Sequence, residues 1–401
     1  MASPTYRRLF TSATIVIFGV MGQAVARAWL ARELTGSNAG LGGVMLVFGV
    51  AMLIATPIGG IAADRYDKRT VLIVAVVALV VSSAGVGIAV VTDAIQYWML
   101  LAASAVQAAA FAFYLPARIA FIAESVPAHA LSNAIVLAQV AQEATRVIAP
   151  ALAGVLLGIS WFGVGGVFLL GACASVLALV VLSRLPRSAD HQRRDSSPLS
   201  EMVDVVAYMR SVSGLGTIAL FTVGVVMVGF PYLTFLPTIA DERFDVGALG
   251  FGVMSGVAGL GALSAGVLDA RSTRRRRPWR TLTFSGAAFG ATTLALAAAG
   301  SFAVALVAVA GIGASGLLFQ TSSQSLMLHM AAFEYHGRLQ SFVILGFSGF
   351  GLAALPLGYL ADSTSVGFAL SAMGIAVLAM TAAFVAVAWR LRRKARTLAI
   401  G

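Results

Sequence analysis

Long hydrophobic runs dominate the chain, and short polar segments separate them at nearly regular intervals. A run of about 17–25 apolar residues is long enough to cross the hydrocarbon of a bilayer as a helix. Twelve such runs predict an all-α integral membrane protein whose two ends lie on the same side. The predicted spans are residues 10–31, 39–63, 70–92, 97–117, 133–158, 162–183, 214–238, 247–269, 281–300, 303–327, 338–361 and 366–390.

The composition supports a membrane location, because 59% of the 401 residues are apolar and only 11% are charged. Soluble domains are about 45–50% apolar. The net charge of +11 comes from bases clustered between apolar runs. This arrangement is typical of contacts with anionic lipid headgroups, so membrane lipids are expected partners and nucleic acid is not.

The placement of the bases also predicts the orientation. All but four of the 27 Lys and Arg side chains fall on one side of the predicted spans, the exceptions being Arg27, Arg32, Arg146 and Arg243. Lys and Arg are retained on the cytoplasmic side. We therefore expect both termini in the cytoplasm. The Arg-rich, Lys-poor composition is typical of a bacterial source, which indicates a multi-pass protein of the cytoplasmic (inner) membrane.

One longer polar segment, residues 184–213, divides the chain into two halves. We expect a six-helix bundle over residues 1–183, a cytoplasmic linker over 184–213, and a second bundle with a basic tail over 214–401. Part of the linker, residues 199–208, is predicted to be an amphipathic helix on the membrane surface.

The two halves resemble each other at an offset of about 205–207 residues, as the duplicated bundles of secondary transporters do. Asp64 corresponds to Asp269, and Pro150 to Pro356. Glycines recur in spans eight and eleven, where small residues allow close helix packing. Such packing permits rocking between bundles, and static close packing explains it equally well.

The turn between spans two and three is unusually charged for this chain. It contains Gly60, Asp64, Arg65, Lys68 and Arg69. Such a dense turn between apolar helices must lie at a membrane surface. It is either a loop that only sets topology or part of a gate.

These features together resemble the major facilitator superfamily, whose signature at this turn is Gly-x-x-x-Asp-Arg-x-Gly-Arg-Arg. Asp67 stands where Gly is usual. The variant is similar to the drug:proton antiporter branch, which includes multidrug, macrolide and enterobactin-type siderophore exporters. Further similar segments are Leu115 to Arg118 at the end of span four and Ala149 to Gly154 in span five.

The resemblance implies a gating role for the turn. In this architecture Asp64 would accept hydrogen bonds from backbone amides near residues 337–340, beside Arg338, where the positive end of a helix dipole lies. These contacts would form when the cytoplasmic side closes. The branch often has Asp where this chain has Gln23, so the chain lacks that proton carrier in span one.

Span five carries the most polar group of side chains within the membrane: Gln139, Gln142, Glu143 and Arg146. Glu143 and Arg146 are three residues apart and therefore able to pair. A carboxylate buried in a cavity is a candidate proton carrier, because desolvation raises its affinity for protons. The alternative is a permanently ionised pair with a structural role.

The remaining polar and aromatic side chains of the spans predict a cavity for an amphipathic or apolar ligand. Arg27 is either part of this cavity or reaches the outer headgroups along its aliphatic stem. Many of the aromatic residues are equally explained by packing. The predicted cavity residues are Gln23, Arg27, Gln107, Phe111, Tyr114, Gln139, Gln142, Phe230, Tyr232, Phe235, Gln320 and Gln324.

The leading hypothesis is a proton-coupled exporter of small amphipathic or drug-like molecules that works as a monomer by alternating access. An importer or facilitator of a specific metabolite, and a siderophore or lipid exporter, remain open. No enzyme motif, nucleotide-binding loop or metal-ligand cluster occurs, and Cys173 is the single cysteine. We therefore expect no enzymatic activity, cofactor or metal.

Overall fold

The computed structural model describes residues 3–159, 161–187, 198–271, 278–332 and 335–398. All regular structure in these ranges is helical, as expected in a bilayer, where backbone groups must be satisfied within the protein. A π-helical turn, Ile239–Arg243, continues α9. The α-helices are α1 (Pro4–Thr35), α2 (Asn38–Arg65), α3 (Lys68–Val91), α4 (Tyr97–Ser125), α5 (Ala128–Leu157), α6 (Gly163–Leu182), α7 (Pro198–Ser211), α8 (Leu215–Gly229), α9 (Tyr232–Thr238), α10 (Gly247–Arg271), α11 (Pro278–Ala297), α12 (Phe302–Met330), α13 (His336–Ser363) and α14 (Val366–Leu398).

These helices form twelve membrane-crossing passages, as predicted. Among the described residues, ten passages are long and apolar enough to cross a membrane. The helices α11 and α13 are the other two of the twelve passages. The seventh passage consists of α8, α9 and the π-helical turn, with a break at Pro231. The helix α7 coincides with the amphipathic segment predicted in the linker.

The passages group into two pseudo-symmetric six-helix bundles. In the first bundle α1 packs against α4, α5 and α6, while α2 and α3 pack against α4. In the second bundle α12 packs against α10 and α11, and α8 packs against α13 and α14. The most extensive packing between the bundles is that of α2 with α13 and of α5 with α10, and α9 also contacts α1 and α2. The domain boundaries at residues 183 and 214 stay a prediction.

We call the face where α1 begins the near face and the opposite face the far face. One apolar core contains far-face residues of the first bundle, such as Leu41 and Ala153, together with the second bundle. A separate core fills the near-face part of the first bundle, around Leu72 and Phe121, and contains no described residue of the second bundle. The apolar packing therefore joins the two bundles at the far face.

Glycines allow this far-face approach. A Cβ atom on Gly154 of α5 would lie 1.9 Å from the Cα atom of Gly252 in α10. On the other pair, a Cβ atom on Gly358 of α13 would lie 2.5 Å from the carbonyl oxygen of Asn38 in α2. The backbones therefore touch directly, which is the close packing predicted for spans eight and eleven.

Asp67, the residue at which the charged turn differs from the superfamily signature, caps a helix. Asp67 is the N-cap of α3, and its carboxylate accepts hydrogen bonds from the backbone N–H and the hydroxyl of Thr70, at 3.1 and 2.8 Å. A carboxylate in this position satisfies free N–H groups of the first helical turn. Asp67 thus starts α3 immediately after α2 ends at Arg65.

Candidate functional site

A buried hydrogen-bond cluster lies in the first bundle, between α1, α3 and α4. The hydroxyl of Ser83 donates to Oε1 of Gln23 at 3.0 Å, and Nε2 of Gln107 donates to the same atom at 3.4 Å. Gln23 and Gln107 are each 1% exposed. Nε2 of Gln23 also lies against Gly171 of α6, where a Cβ atom would be only 1.9 Å away. The two amides therefore meet inside the first bundle, and their predicted cavity role stays a prediction.

Arg27 lies one turn beyond Gln23 on α1 and is 5% exposed. Its Nε atom is buried and has no hydrogen-bond partner among the described residues. The alternative in which this side chain extends to the outer headgroups therefore does not hold in this structure. A buried guanidinium is costly within a bilayer and marks a candidate functional position.

A small cleft lies between α1, α4 and α5 in the near-face part of the first bundle. Its polar side chains are Tyr6, Thr14, Arg118 and Gln142. Nη2 of Arg118 donates to Oε1 of Gln142 at 3.0 Å, and the hydroxyl of Tyr6 donates to the carbonyl of Ala134 at 2.8 Å. The apolar lining residues are Leu9, Phe10, Ala13, Ile17, Ile122 and Ala138.

Sequence reasoning missed Arg118 and Tyr6. The sequence predicts that span four ends at residue 117, which would leave Arg118 among the bases of the membrane surface. This prediction is wrong, because α4 continues to Ser125 and Arg118 is 6% exposed. The helical spacing was the available signal, since Gln107, Tyr114 and Arg118 are seven and four residues apart and share one face.

Unsatisfied polar atoms concentrate where α1 meets α4. Six buried side-chain atoms lack a hydrogen-bond partner in the described part of the chain, and five of them belong to these two helices. They are Nε2 of Gln23, Nε of Arg27, Oε1 of Gln107, the hydroxyl of Tyr114 and Nε of Arg118. Buried polar groups are normally paired, so this seam has unused hydrogen-bonding capacity that suits water or a polar ligand.

Two of the predicted aromatic residues of the second bundle pack against Phe289 of α11. Phe230 stacks on Phe289 with ring centroids 5.2 Å apart, and Tyr232 meets the edge of Phe289 at 6.1 Å. Phe235 is fully buried. Gln320 and Gln324 on α12 are half-buried. In the first bundle Phe111, which is also buried, lies against Tyr114 with centroids 6.2 Å apart.

The predicted coupling group lies on α5, which contacts both α1 and α10. The side chains of Gln139 and Glu143 lie outside the described residues, and Arg146 is exposed. Only Gln142 of the predicted group has a described hydrogen bond, to Arg118. The proposed pairing of Glu143 with Arg146 therefore stays a prediction.

The near-face charged turn is described only in part. The side chains of Asp64 and Arg338 lie outside the described residues, so the predicted contact with the start of α13 is not tested. Nζ of Lys68 lies 2.5 Å from Oε1 of Glu124 at the end of α4.

Three further residues of this turn, Arg69, Arg65 and Gly60, differ in their surroundings. The Nη2 atom of Arg69 donates to the carbonyl of Ser183, at the end of α6, at 2.5 Å. Arg65 is exposed, and the space around Gly60 is open. In the described structure Lys68 and Arg69 thus bind the ends of α4 and α6 in the first bundle.

The far face carries a carboxylate contact that the sequence did not reveal. Asp362, near the end of α13, accepts three hydrogen bonds from the start of α2, each 2.8 Å long. The donors are the backbone N–H groups of Asn38 and Ala39 and the side-chain amide of Asn38. Oδ1 of Asn38 in turn accepts from the hydroxyl of Thr238 on α9, at 2.7 Å.

We call Asp362, Asn38, Ala39 and Thr238 the far-face latch, because these residues connect the two bundles. Asp362 places negative charge at the N-terminus of α2, where free N–H groups and the helix dipole favour an anion. Nearby, Arg32 of the first bundle forms an ion pair with Glu242 of the second. Polar contacts therefore reinforce the apolar and glycine packing that closes this face.

Comparison with known proteins identifies the class. The model of the Major Facilitator Superfamily matches residues 9–356. The chain belongs to this superfamily of membrane transporters, as its sequence motifs indicated. Its family and fold make it a transporter rather than an enzyme.

Among curated relatives, the uncharacterized MFS-type transporter YfiS of Bacillus subtilis is 25% identical over 393 residues, covering 89% of this chain and 90% of the relative. Macrolide efflux protein A of Enterococcus faecalis is 27% identical over 195 residues, covering 47% of this chain and 59% of that protein.

Solved structures share the fold at low identity. A POT family transporter in complex with a thioalcohol-conjugated peptide aligns with a TM-score of 0.76 and 12% identity, covering 96% of each chain. A bacterial homologue of the human lysosomal transporter Spinster aligns with a TM-score of 0.71 and 15% identity, covering 99% of this chain and 98% of that one. At such identities the likeness supports the fold alone.

Proposed function

We propose that this protein is a proton-coupled exporter of small amphipathic molecules that works by alternating access. The observation that carries the proposal is the arrangement of contacts between the bundles. The apolar core, the touching glycines and the far-face latch all join the bundles at one face. Opening that face requires these contacts to separate, while the first bundle keeps its own near-face core. Such a structure suits rocking between two states.

The partial similarity to macrolide efflux protein A supports efflux as the direction of transport. The combination of a polar seam in the first bundle with aromatic side chains in the second suits an amphipathic molecule with one polar end. A siderophore or lipid exporter of the same fold would use the same features. An importer or facilitator of a metabolite is the second candidate, and the experiment below separates it from the exporter.

We propose Glu143 as the coupling group and Arg146 as the residue that modulates its proton affinity. The position of α5 supports this choice, because α5 packs on α1 within its own bundle and on α10 across the bundles. A change of charge on this helix lies close to the contact that must open and close. Protons and one small-molecule substrate are thus the proposed transported species.

We also propose a matching latch at the near face. There Asp64 would accept hydrogen bonds from the start of α13, beside Arg338, as Asp362 does from the start of α2 at the far face. The two latches would then alternate, each closed in one state. Asp64→Asn is expected to impair transport without lowering expression. Unchanged transport by that variant excludes the near-face latch.

The proposed location is the bacterial cytoplasmic membrane, with the near face and both termini in the cytoplasm and the protein acting as a monomer among membrane lipids. The clustering of bases between the spans supports this orientation. A cysteine placed in the linker and probed in intact cells with a reagent that does not cross the membrane tests it. Labelling of the linker in intact cells would mean that the near face lies outside the cytoplasm.

Transport is tested by reconstituting the purified protein in liposomes that contain a pH dye and screening amphipathic compounds under an imposed proton gradient. Proton movement that depends on a compound, and that is lost in Glu143→Gln but kept in the exposed control Glu33→Gln, supports the antiporter. If Glu143→Gln retains the proton movement, a residue other than Glu143 carries the coupled proton. Substrate flux without proton movement favours the facilitator.

A further inference from the structure

The linker helix α7 packs against protein at the near face. Its apolar residues Val205 and Met209 are four positions apart and therefore share one side of the helix. They are 2% and 5% exposed and belong to the apolar core that contains the second bundle. Asp204 and Arg210, which point away from that side, are exposed. The apolar side of α7 is therefore covered by protein.

Tyr208 anchors α7 to the turn between α12 and α13. Its ring stacks on the ring of Tyr335, with centroids 3.7 Å apart and an angle of 4° between the planes. Its hydroxyl accepts a hydrogen bond from the backbone N–H of Ala332 at 2.8 Å. A tyrosine can combine both kinds of contact, because its ring is apolar and its tip is polar. The two contacts fix α7 to the second bundle just before α13 begins.

The C-terminal end of α7 is also held by the start of α8. Gly214, which precedes α8, has a φ of 89°, a conformation that favours glycine. One turn into the junction, a Cβ atom on Gly216 would lie only 3.1 Å from the carbonyl oxygen of Met209. The two helices therefore pack closely where they meet. The C-terminal half of α7 is thus part of the second bundle.

The same helix reaches the first bundle. It contacts α2 as well as α13 and α8. At the near face α2 ends at Arg65 and α13 begins at His336, so α7 lies beside both helix ends. A helix of 14 residues is about 21 Å long, which exceeds the separation of two packed helices. The near-face core of the first bundle contains no described residue of the second, so α7 bridges the bundles where this apolar core does not.

We propose that α7 is a strap at the near face, anchored on the second bundle by Tyr208, that limits how far the near-face ends of α2 and α13 separate. When the near face opens further, α2 moves away from α13, and the contact of α7 with α2 has to break. That contact therefore stabilises the narrower opening relative to the wider one. The inference rests on the proposed rocking of the bundles, and not on the substrate, the direction of transport or the coupled proton.

The test is the distance distribution between spin labels at Ala123 of α4 and Arg280 of α11, which are exposed near-face positions. The labels are placed in the full-length protein with Cys173 replaced by alanine. Tyr208→Ala is expected to increase the ratio of long to short near-face distances about tenfold, because a stacked aromatic pair and a hydrogen bond together contribute roughly that factor. Distances in Tyr208→Ala that match the wild type overturn the proposal.

A second substitution shows whether the anchor itself is responsible. Tyr335→Ala should have a similar effect, and the double variant with Tyr208→Ala should add little, because both residues form one contact. Arg210→Gln is the matched control, since Arg210 lies on the exposed side of the same helix, and it should leave the distances unchanged. Fully additive effects of the two tyrosine substitutions, or an equal effect of Arg210→Gln, contradict the anchor.

Hydrogen–deuterium exchange of the α7 amides is measured on the same variants. Faster exchange in Tyr208→Ala together with longer distances supports the strap, whereas faster exchange with unchanged distances means that α7 is anchored but restrains nothing. If Tyr208→Ala does not fold, Tyr208→Phe decides. This variant keeps the ring stack and loses the hydrogen bond to Ala332, so it should show a smaller change of the same sign, and no change in it overturns the proposal.

The liposome assay separates the strap from the proposed function. Longer near-face distances in Tyr208→Ala support the strap whether or not the wild type moves protons. Proton movement that depends on a compound, together with unchanged distances in Tyr208→Ala, refutes the strap and leaves the proposed function standing. A single narrow distance shared by the wild type and every variant refutes both the rocking and the strap.

Discussion

The far-face latch makes a quantitative prediction about the balance between the two states of the transporter. Asp362→Asn keeps the size of the side chain but removes its negative charge. It also replaces one carboxylate oxygen by an NH2 group, which cannot accept a hydrogen bond from Asn38 or Ala39. The closed far face should therefore lose stability relative to the open one.

The magnitude follows from the geometry. The carboxylate accepts three hydrogen bonds of 2.8 Å, two of them from the first backbone N–H groups of α2. Charge at an exposed helix N-terminus contributes about 0.3–1 kcal/mol, and a hydrogen bond to a charged group is worth more than a neutral one. Asp362 is exposed, so solvent screening reduces the gain. We expect a loss of about 1–2 kcal/mol, which shifts the ratio of closed to open far face by about 5–30-fold.

The measurement is the distance distribution between spin labels on opposite bundles at the far face. Ala94 and Ala298 are exposed positions suited to the labels, in a background where Cys173 is replaced by alanine. Asp362→Asn should raise the population of the long distance. Asp245→Asn is the control, because Asp245 is an exposed far-face carboxylate whose positive φ of 52° asparagine tolerates.

A distance distribution for Asp362→Asn that matches the wild type or the Asp245→Asn control would refute the reasoning. It would mean that apolar and glycine packing alone holds the far face closed. A lower population of the long distance would contradict the expected sign. Asn38→Ala removes both side-chain hydrogen bonds of Asn38, to Asp362 and from Thr238, and leaves both backbone N–H groups in place.

Two other contacts make predictions of the same kind. Gly154→Ala should destabilise the closed far face by about 1–3 kcal/mol, because the added Cβ atom would overlap Gly252 of α10. The same spin labels report this change as a higher population of the long distance. The control Gly85→Ala should leave the distances unchanged, because the space around Gly85 is open. The ion pair of Lys68 with Glu124 should show a coupling free energy of about 1 kcal/mol, because Lys68 is largely buried. A double-mutant cycle measured by thermal unfolding tests this value. If the effects of the two single substitutions simply add, the ion pair contributes nothing to stability.

Much of the fold was predictable because span length and apolar content are local properties of the sequence. The twelve predicted spans correspond to the twelve passages, and the amphipathic helix α7 appears where the linker pattern placed it. Span ends were predicted less well. The helix α4 continues to Ser125, eight residues beyond the predicted end, because an α-helix satisfies its backbone hydrogen bonds internally and need not end where the apolar run ends.

The candidate site was predicted only in part. The polar side chains of α1, α4 and α5 were recognised as unusual within a membrane, because charged and polar groups are costly in hydrocarbon and therefore rare there. The pairing of Gln23 with Gln107 and of Arg118 with Gln142 was not predicted. Helical spacing indicates which residues share a face of one helix, but not which other helix that face meets.

The sequence by itself determined that this protein is an integral membrane protein, that it consists of two similar six-helix halves, and that it belongs to a superfamily of transporters. These properties follow from runs of apolar residues and from motifs that lie within a few residues of one another. Only the tertiary structure brought Asp362 to the start of α2 and enclosed Arg118 between three helices. Such contacts join residues far apart in the chain, and their formation depends on which helices pack together.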